Sequence, residues 1–217
     1  MSGAGNAQEA KFTAILGATG CGKTTELKKR LAKVPKKRLQ RTFVWSPKEA
    51  VDRYIELFPK STYVRSAGEV LAALKKARAD KGGSFHLVFV PTLNRKRDSA
   101  MFDVVCKMLM AVGDLVFIVD ELHTVTLPSW APDGWSNVNF MGRGFGLEVF
   151  GLSQRPASVD KDFLANLSGL HVGRMSEAPD QAVCAKKLGV PVSEVAALVG
   201  YQAIQKNFLT GEIVRVS

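Results

Sequence analysis

Residues Gly17-Ala18-Thr19-Gly20-Cys21-Gly22-Lys23-Thr24 fit the spacing G-x-x-x-x-G-K-[ST], and few stretches of eight residues constrain a fold so tightly. The apolar run Phe12 to Leu16 precedes them and reads as a buried strand, and Thr24 to Lys33 reads as a helix. Strand, glycine turn and helix N-terminus together make an anion site, because backbone N–H groups point inward and the helix dipole favours negative charge. Glycines at 17, 20 and 22 let the backbone turn tightly against a phosphate chain. Lys23 reaches β- and γ-phosphates, and the Thr24 hydroxyl is a ligand for Mg²⁺. The nucleotide-binding set expected here is Gly17, Ala18, Thr19, Gly20, Cys21, Gly22, Lys23, Thr24 and Thr25.

A second feature matches the first. Leu115-Val116-Phe117-Ile118-Val119-Asp120-Glu121 is an apolar strand ending in two carboxylates. Asp120 is placed to hold Mg²⁺ through its water shell, and Glu121 to orient or deprotonate an attacking water. Adjacent strand residues point to opposite faces, so both can serve one site only if the strand end bends. The strand Leu147 to Leu152 ends in Ser153-Gln154, and Gln154 is the candidate sensor of a γ-phosphate. Arg143, in Gly142-Arg143-Gly144-Phe145-Gly146, could project across a subunit boundary.

The rest of the chain reads as alternating short strands and helices. Ser46-Pro47-Lys48-Glu49 predicts a helix start, with Ser46 as cap and Pro47 in the first turn. The periodicity predicts helices over 68–81 and 99–112, with Gly82-Gly83 stopping the first. Residues 122–141 carry Trp130, Pro132, Gly134 and Trp135, and read as a long irregular loop that docks onto a subunit, a base stack or a lipid interface, with local burial as the alternative. Residues 203–209 and 212–216 flank Thr210-Gly211 as a terminal β-hairpin.

With 217 residues, 46% of them hydrophobic, the chain suits one domain over 11–217 behind a flexible tail over 1–10. The three cysteines are widely spaced and make neither a disulfide framework nor a metal site. Cys21 reads as a variable loop position, with a reactive thiol as the alternative. No run is long and apolar enough to span a bilayer and no secretory signal is evident, so a cytoplasmic location is expected. A net charge of +10 favours a polyanionic partner. Lys36, Lys37 and Arg38 lie in the densest basic stretch, and Arg95, Lys96 and Arg97 form a second cluster at the C-terminal end of a strand. Both are candidate nucleic-acid contacts, weighed against ordinary solvated surface.

The order of phosphate loop, Asp120-Glu121 strand and Arg143-Gly-Phe-Gly-Leu-Glu-Val-Phe-Gly-Leu-Ser-Gln-Arg-Pro156, followed by Val159, Asp160, Leu164, Asn166 and Arg174, resembles the HerA/FtsK superfamily of DNA-pumping ATPases. In size it is similar to the genome-packaging ATPases of internal-membrane double-stranded DNA viruses. The resemblance implies an α/β, RecA-like P-loop NTPase fold of the ASCE type with a mostly parallel central sheet. It implies ATP and Mg²⁺ as cofactors, and catalytic roles for Glu121, Lys23, Gln154 and Arg143, the last as an arginine finger acting in trans. It further implies double-stranded DNA as partner, a homo-oligomeric ring, expected as a hexamer, and a viral portal, vertex or membrane protein as a docking point. A secretion or filamentous-phage assembly ATPase, a nucleotide-dependent switch and a nucleoside kinase are the competing readings. Glu121 speaks against the switch, and the Gln154 strand against the kinase.

Overall fold

The computed structural model describes residues 10–80 and 83–217. The tail expected over residues 1–10 and the Gly82 stop signal therefore lie outside the described residues, except that Ala10 is described and is buried. Nine strands form one sheet: β1 (Phe12–Leu16), β2 (Arg41–Trp45), β3 (Thr62–Val64), β4 (Phe85–Phe89), β5 (Leu115–Val119), β6 (Leu147–Ser153), β7 (Gly169–Gly173), β8 (Ala203–Asn207) and β9 (Ile213–Val216). Their spatial order is β3-β4-β2-β5-β6-β1-β7-β8-β9. The first seven run parallel, and β8 and β9 complete the sheet antiparallel. The hairpin expected at the C-terminus is thus the far edge of the main sheet. The fold expected from the sequence is the fold observed.

Helices cover both faces, which is why the parallel strands are apolar at nearly every position. On β5, Leu115, Phe117 and Val119 join one core and Val116 and Ile118 the other. The smaller core packs under α1 (Lys23–Leu31), through Leu27 and Leu31, and under Tyr54. The larger packs under α4 (Ala67–Ala79), α5 (Arg95–Val112), α6 (Asp133–Met141), α7 (Lys161–Ala165), α8 (Ala178–Leu188) and α9 (Val192–Ala196). Two single-turn helices, α2 (Lys36–Leu39) and α3 (Glu49–Asp52), flank β2.

Three local expectations are corrected. Residues 122–141 are not one irregular loop: a 3₁₀ turn spans Leu122–Thr124 and α6 fills Asp133–Met141. Trp135 is core, its ring against Phe102, Phe117 and Phe163 and its Nε1 donating to Asp160 Oδ2 at 2.9 Å. Only Trp130, 48% exposed, remains available for docking. Second, α5 begins at Arg95 rather than Ser99, because Asn94 caps it by accepting from Arg97 N at 3.1 Å. Third, Ser46 caps nothing: its Oγ is buried without a partner among the described residues, and α3 starts after Lys48.

Candidate functional site

β1 delivers its C-terminal end into the turn 17–22. Gly17, Gly20 and Gly22 take φ values of 154°, 76° and 90°, which side chains rarely adopt. A Cβ on Gly17 would stand 2.5 Å from the buried Cys21 Sγ, so Cys21 packs inside the turn and is no exposed thiol. Gly17 N donates to Ser153 O on β6 at 3.1 Å, and Ala18 N to Arg174 O beyond β7 at 2.8 Å. The loop is therefore held between the two strands that flank β1. Lys23 folds back, its Nζ donating to Gly17 O at 2.8 Å and Ala18 O at 3.1 Å. Those carbonyls hold the ammonium over the turn, where a phosphate chain would meet it.

β6 lies between β1 and β5, so the Gln154 end sits between the phosphate loop and the two carboxylates. The bend that Asp120 and Glu121 need is present: Glu121 has φ 47° and ψ 49° in the left-handed region. A bulky non-glycine residue held there is strained, and the strain turns its carboxyl toward Gln154. Thr19 Oγ1 donates to Gln154 Oε1, and Gln154 Nε2 donates to Glu121 Oε1. One amide thus links the phosphate loop to the carboxylate.

Glu121 has two more neighbours. Lys48 Nζ forms an ion pair with Oε1, and His123 Nδ1 lies 3.3 Å from Oε2 and 3.0 Å from Ser153 Oγ. Burial alone would push the Glu121 carboxyl up, but the Lys48 ammonium and the Gln154 amide outweigh it and hold the pKa below the ordinary value. Burial lowers His123, so it faces Glu121 as a neutral, hydrogen-bonding ring.

Asp120 is the opposite case. It is buried beside Glu121 and Asp52, and burial first, then those charges, push its pKa up to about 8 despite Lys23 nearby. Its Oδ2 has no hydrogen-bond partner among the described residues. An orphaned, buried carboxylate oxygen beside a phosphate loop fits a hydrated divalent cation, which would restore the ionised form. Among the described residues no group of three or more His, Cys, Asp or Glu could hold a metal alone. Phosphate oxygens and the Thr24 hydroxyl would have to complete the shell.

The remaining candidates do not gather here. Arg143 precedes β6, and its guanidinium donates to Asn166 O and lies 5.2 Å from the Phe12 ring. Phe12 opens β1, so Arg143 is at the opposite end of the strand from the phosphate loop, roughly 13 Å away at the rise of a strand. Lys36, Lys37 and Arg38 share that end, because α2 leads into β2. Arg38 pairs with Glu148 at 3.1 Å. Arg95, Lys96 and Arg97 follow β4 and share the phosphate-loop end. They are exposed, although the Arg95 Nη2 donates to Thr126 O at 2.7 Å. The two basic clusters are therefore at opposite edges of the sheet.

Two residues with a place in the site carried no role in the sequence reading. Lys48 lies 73 residues from Glu121, and only the pairing of β2 with β5 brings them together. Arg174 Nη2 donates to Thr19 O at 3.1 Å, so a cation of the same chain rests on the loop. Its presence in the downstream motif was the available signal.

A family model described as an AAA domain matches residues 6–145. No curated protein matches the chain. Among solved structures it is similar to the genome packaging NTPase B204 from Sulfolobus turreted icosahedral virus 2 in complex with AMPPCP, with a TM-score of 0.70 at 11% identity over 96% of this chain and 97% of that one. It is also similar to the bacterial conjugative coupling protein TrwBdeltaN70, with a TM-score of 0.68 at 13% identity over 94% and 83%. VirB4 of Thermoanaerobacter pseudethanolicus gives 0.65 at 10% identity over 99% and 91%. At such identities the likeness is one of fold.

Proposed function

The chain belongs to the AAA domain family, and from that premise we propose that it is an ATP-hydrolysing motor that moves double-stranded DNA, of the kind that packages a viral genome. The observation that carries the reading is the polar chain from Thr19 through Gln154 to Glu121. A protein that only binds nucleotide has no need of a buried carboxylate tied to its phosphate loop. A γ-phosphate arriving at Thr19 competes for the threonine hydroxyl and so alters the hold of Gln154 on Glu121.

In this reading Lys23 and the backbone N–H groups of residues 17–24 bind the β- and γ-phosphates. Thr24 and Asp120 would hold Mg²⁺, the latter through its water shell, and the ion would supply charge neutralisation on the phosphate oxygens. Glu121, kept ionised by Lys48, accepts a proton from the attacking water. Gln154 positions that water and senses the γ-phosphate. Arg143 cannot serve its own site from the far end of β1, which supports its acting on a neighbouring subunit's phosphates in a closed ring, expected as a hexamer.

The exposed cations of the first turn of α5 are the stronger candidates for DNA. Basic residues in a first turn oppose the helix dipole. Arg95, Lys96 and Arg97 stand there in a row beside Leu93, which is 74% exposed with φ 65°. A local rule broken on an exposed edge is the pattern expected of a contact surface. Among the described residues no helix is long and apolar enough to cross a membrane.

The test is ATP turnover by the purified chain at low salt, with and without double-stranded DNA, with assembly state read in the same samples. Stimulation by DNA together with ring formation is the expected result. Lys23→Ala removes turnover, and unchanged activity in that variant would refute the site. Turnover indifferent to DNA would refute the motor.

A further inference from the structure

The phosphate loop has two unlike flanks. On one side lie β6 and β5, with Gln154 and Glu121 reaching Thr19. On the other lie β7 and β8. β8 runs antiparallel to β7 and pairs Ala203 with Gly173, so the turn that enters β8 stands at the same edge of the sheet as the loop. That turn is tightly made: Gln202 N donates to Val199 O at 3.0 Å, Val199 N donates to Gln202 Oε1 at 3.1 Å, and Gly200 between them has φ 55°. Its tip is Tyr201, 75% exposed, with Val199 61% exposed beside it. The Tyr201 ring lies against the first residue before α1: a Cβ on Gly22 would be 3.3 Å from its Cδ1.

We propose that Tyr201 is the base-stacking residue of the nucleotide site, with Val199 as the apolar wall beside it. The inference rests on the phosphate loop being an ATP site and adds which end of the nucleotide goes where. The hydrolytic groups fix the γ-phosphate at the Thr19 half of the loop. The α-phosphate then falls at the Gly22–Thr25 half, at the N-terminus of α1. The nucleoside extends onward from there, on the β7–β8 side. Tyr201 is a large, exposed aromatic ring at that place. A phenol ring offers a flat face that excludes water from a purine. The glycine at 22 leaves room between ring and helix end, where a side chain would crowd it.

Stacking reads the π-face and not the hydrogen-bonding edge of a base. Tyr201 therefore adds affinity for any purine nucleoside triphosphate and little preference between adenine and guanine. It also ties the C-terminal β8–β9 hairpin to nucleotide occupancy, since Tyr201 is the residue through which that hairpin meets the ligand.

The test compares the binding of a non-hydrolysable ATP analogue, the matching GTP analogue and inorganic tripolyphosphate to the full chain. Tyr201→Ala should weaken both nucleotides about tenfold and leave tripolyphosphate unchanged. Tyr201→Phe should bind all three as the wild type does. In Tyr201→Trp, the indole fluorescence should change with the ATP analogue and not with tripolyphosphate. Unchanged nucleotide affinity in Tyr201→Ala would overturn the proposal. So would an equal loss for tripolyphosphate, which would make the ring a packing support of the loop. Failure of the ATP site itself has a different signature: the wild type would then bind neither nucleotide nor tripolyphosphate, and Lys23→Ala would change nothing.

Discussion

Glu121 is the residue on which the site turns. Its carboxyl is buried, and the Lys48 ammonium and the Gln154 amide make a buried charge tolerable there. Removing Lys48 leaves burial as the dominant influence, so the carboxyl takes up a proton at a higher pH. Lys48→Ala should therefore move the acid limb of the pH profile of kcat/KM upward, while nucleotide affinity stays close to that of the wild type. An unmoved limb would mean that Lys48 does not govern this carboxylate. The bend at Glu121 was legible in the sequence, because a strand cannot aim two successive side chains at one point without it. Lys48 was not: its partner is 73 residues away, and only strand order creates the contact.

The helix α6 forms from a segment whose composition reads as a loop. Gly134, Pro132, Asn137 and Asn139 are breaker and turn residues, and together they resemble a loop. Three of them have a structural reason instead. Pro132 stands just before the first residue of α6, in extended backbone, and Asn139 Nδ2 donates to the buried Asp160 at 3.1 Å. Gly134 lets α6 close on α5: its N donates to Asp103 Oδ1 at 2.6 Å, and a Cβ there would be 2.3 Å from Asp103 O. Gly134→Ala should destabilise the fold by about 1–3 kcal/mol, read as a lower urea midpoint with an unchanged m-value. Better intrinsic helix propensity for alanine would predict the reverse. The early start of α5 was hidden for a related reason, since three cations in a first turn run against the dipole rule used to find helix starts. Where the sequence obeyed local rules, as in the strands before the phosphate loop and before Asp120, it was readable to within a residue or two.

Across the whole molecule, one pH dependence follows from burial. His171 on β7 is packed among Gln205 of β8 and Glu26, Lys29 and Arg30 of α1. Burial pushes its pKa down to about 4, against the pull of Glu26 and with help from Arg30 and Lys29. The folded chain thus keeps a neutral imidazole while the unfolded chain gains a proton near the ordinary value of about 6.5. Stability is fully present above that value and falls as pH drops from about 6.5 to 4, by on the order of 3 kcal/mol. Urea unfolding at pH 7 and pH 4.5 should show His171→Gln losing less stability between the two than the wild type does. A second expectation concerns assembly. Arg143→Ala and Glu121→Gln should each bind nucleotide without turning it over, and mixing the two should restore part of the activity, because an Arg143→Ala site can borrow the finger of a Glu121→Gln neighbour. No recovery on mixing would remove Arg143 from the shared site.

The strand that separates Phe12 from Gly17 has a kinetic consequence. On the role proposed for Arg143, with the cation at one end and the phosphate-binding turn at the other, an isolated chain would hold two halves of different sites and no whole one. Specific activity should then rise with protein concentration and collapse on dilution, well before any loss of folded structure. The protein would be silent while dispersed and would consume nucleotide only where its copies are gathered.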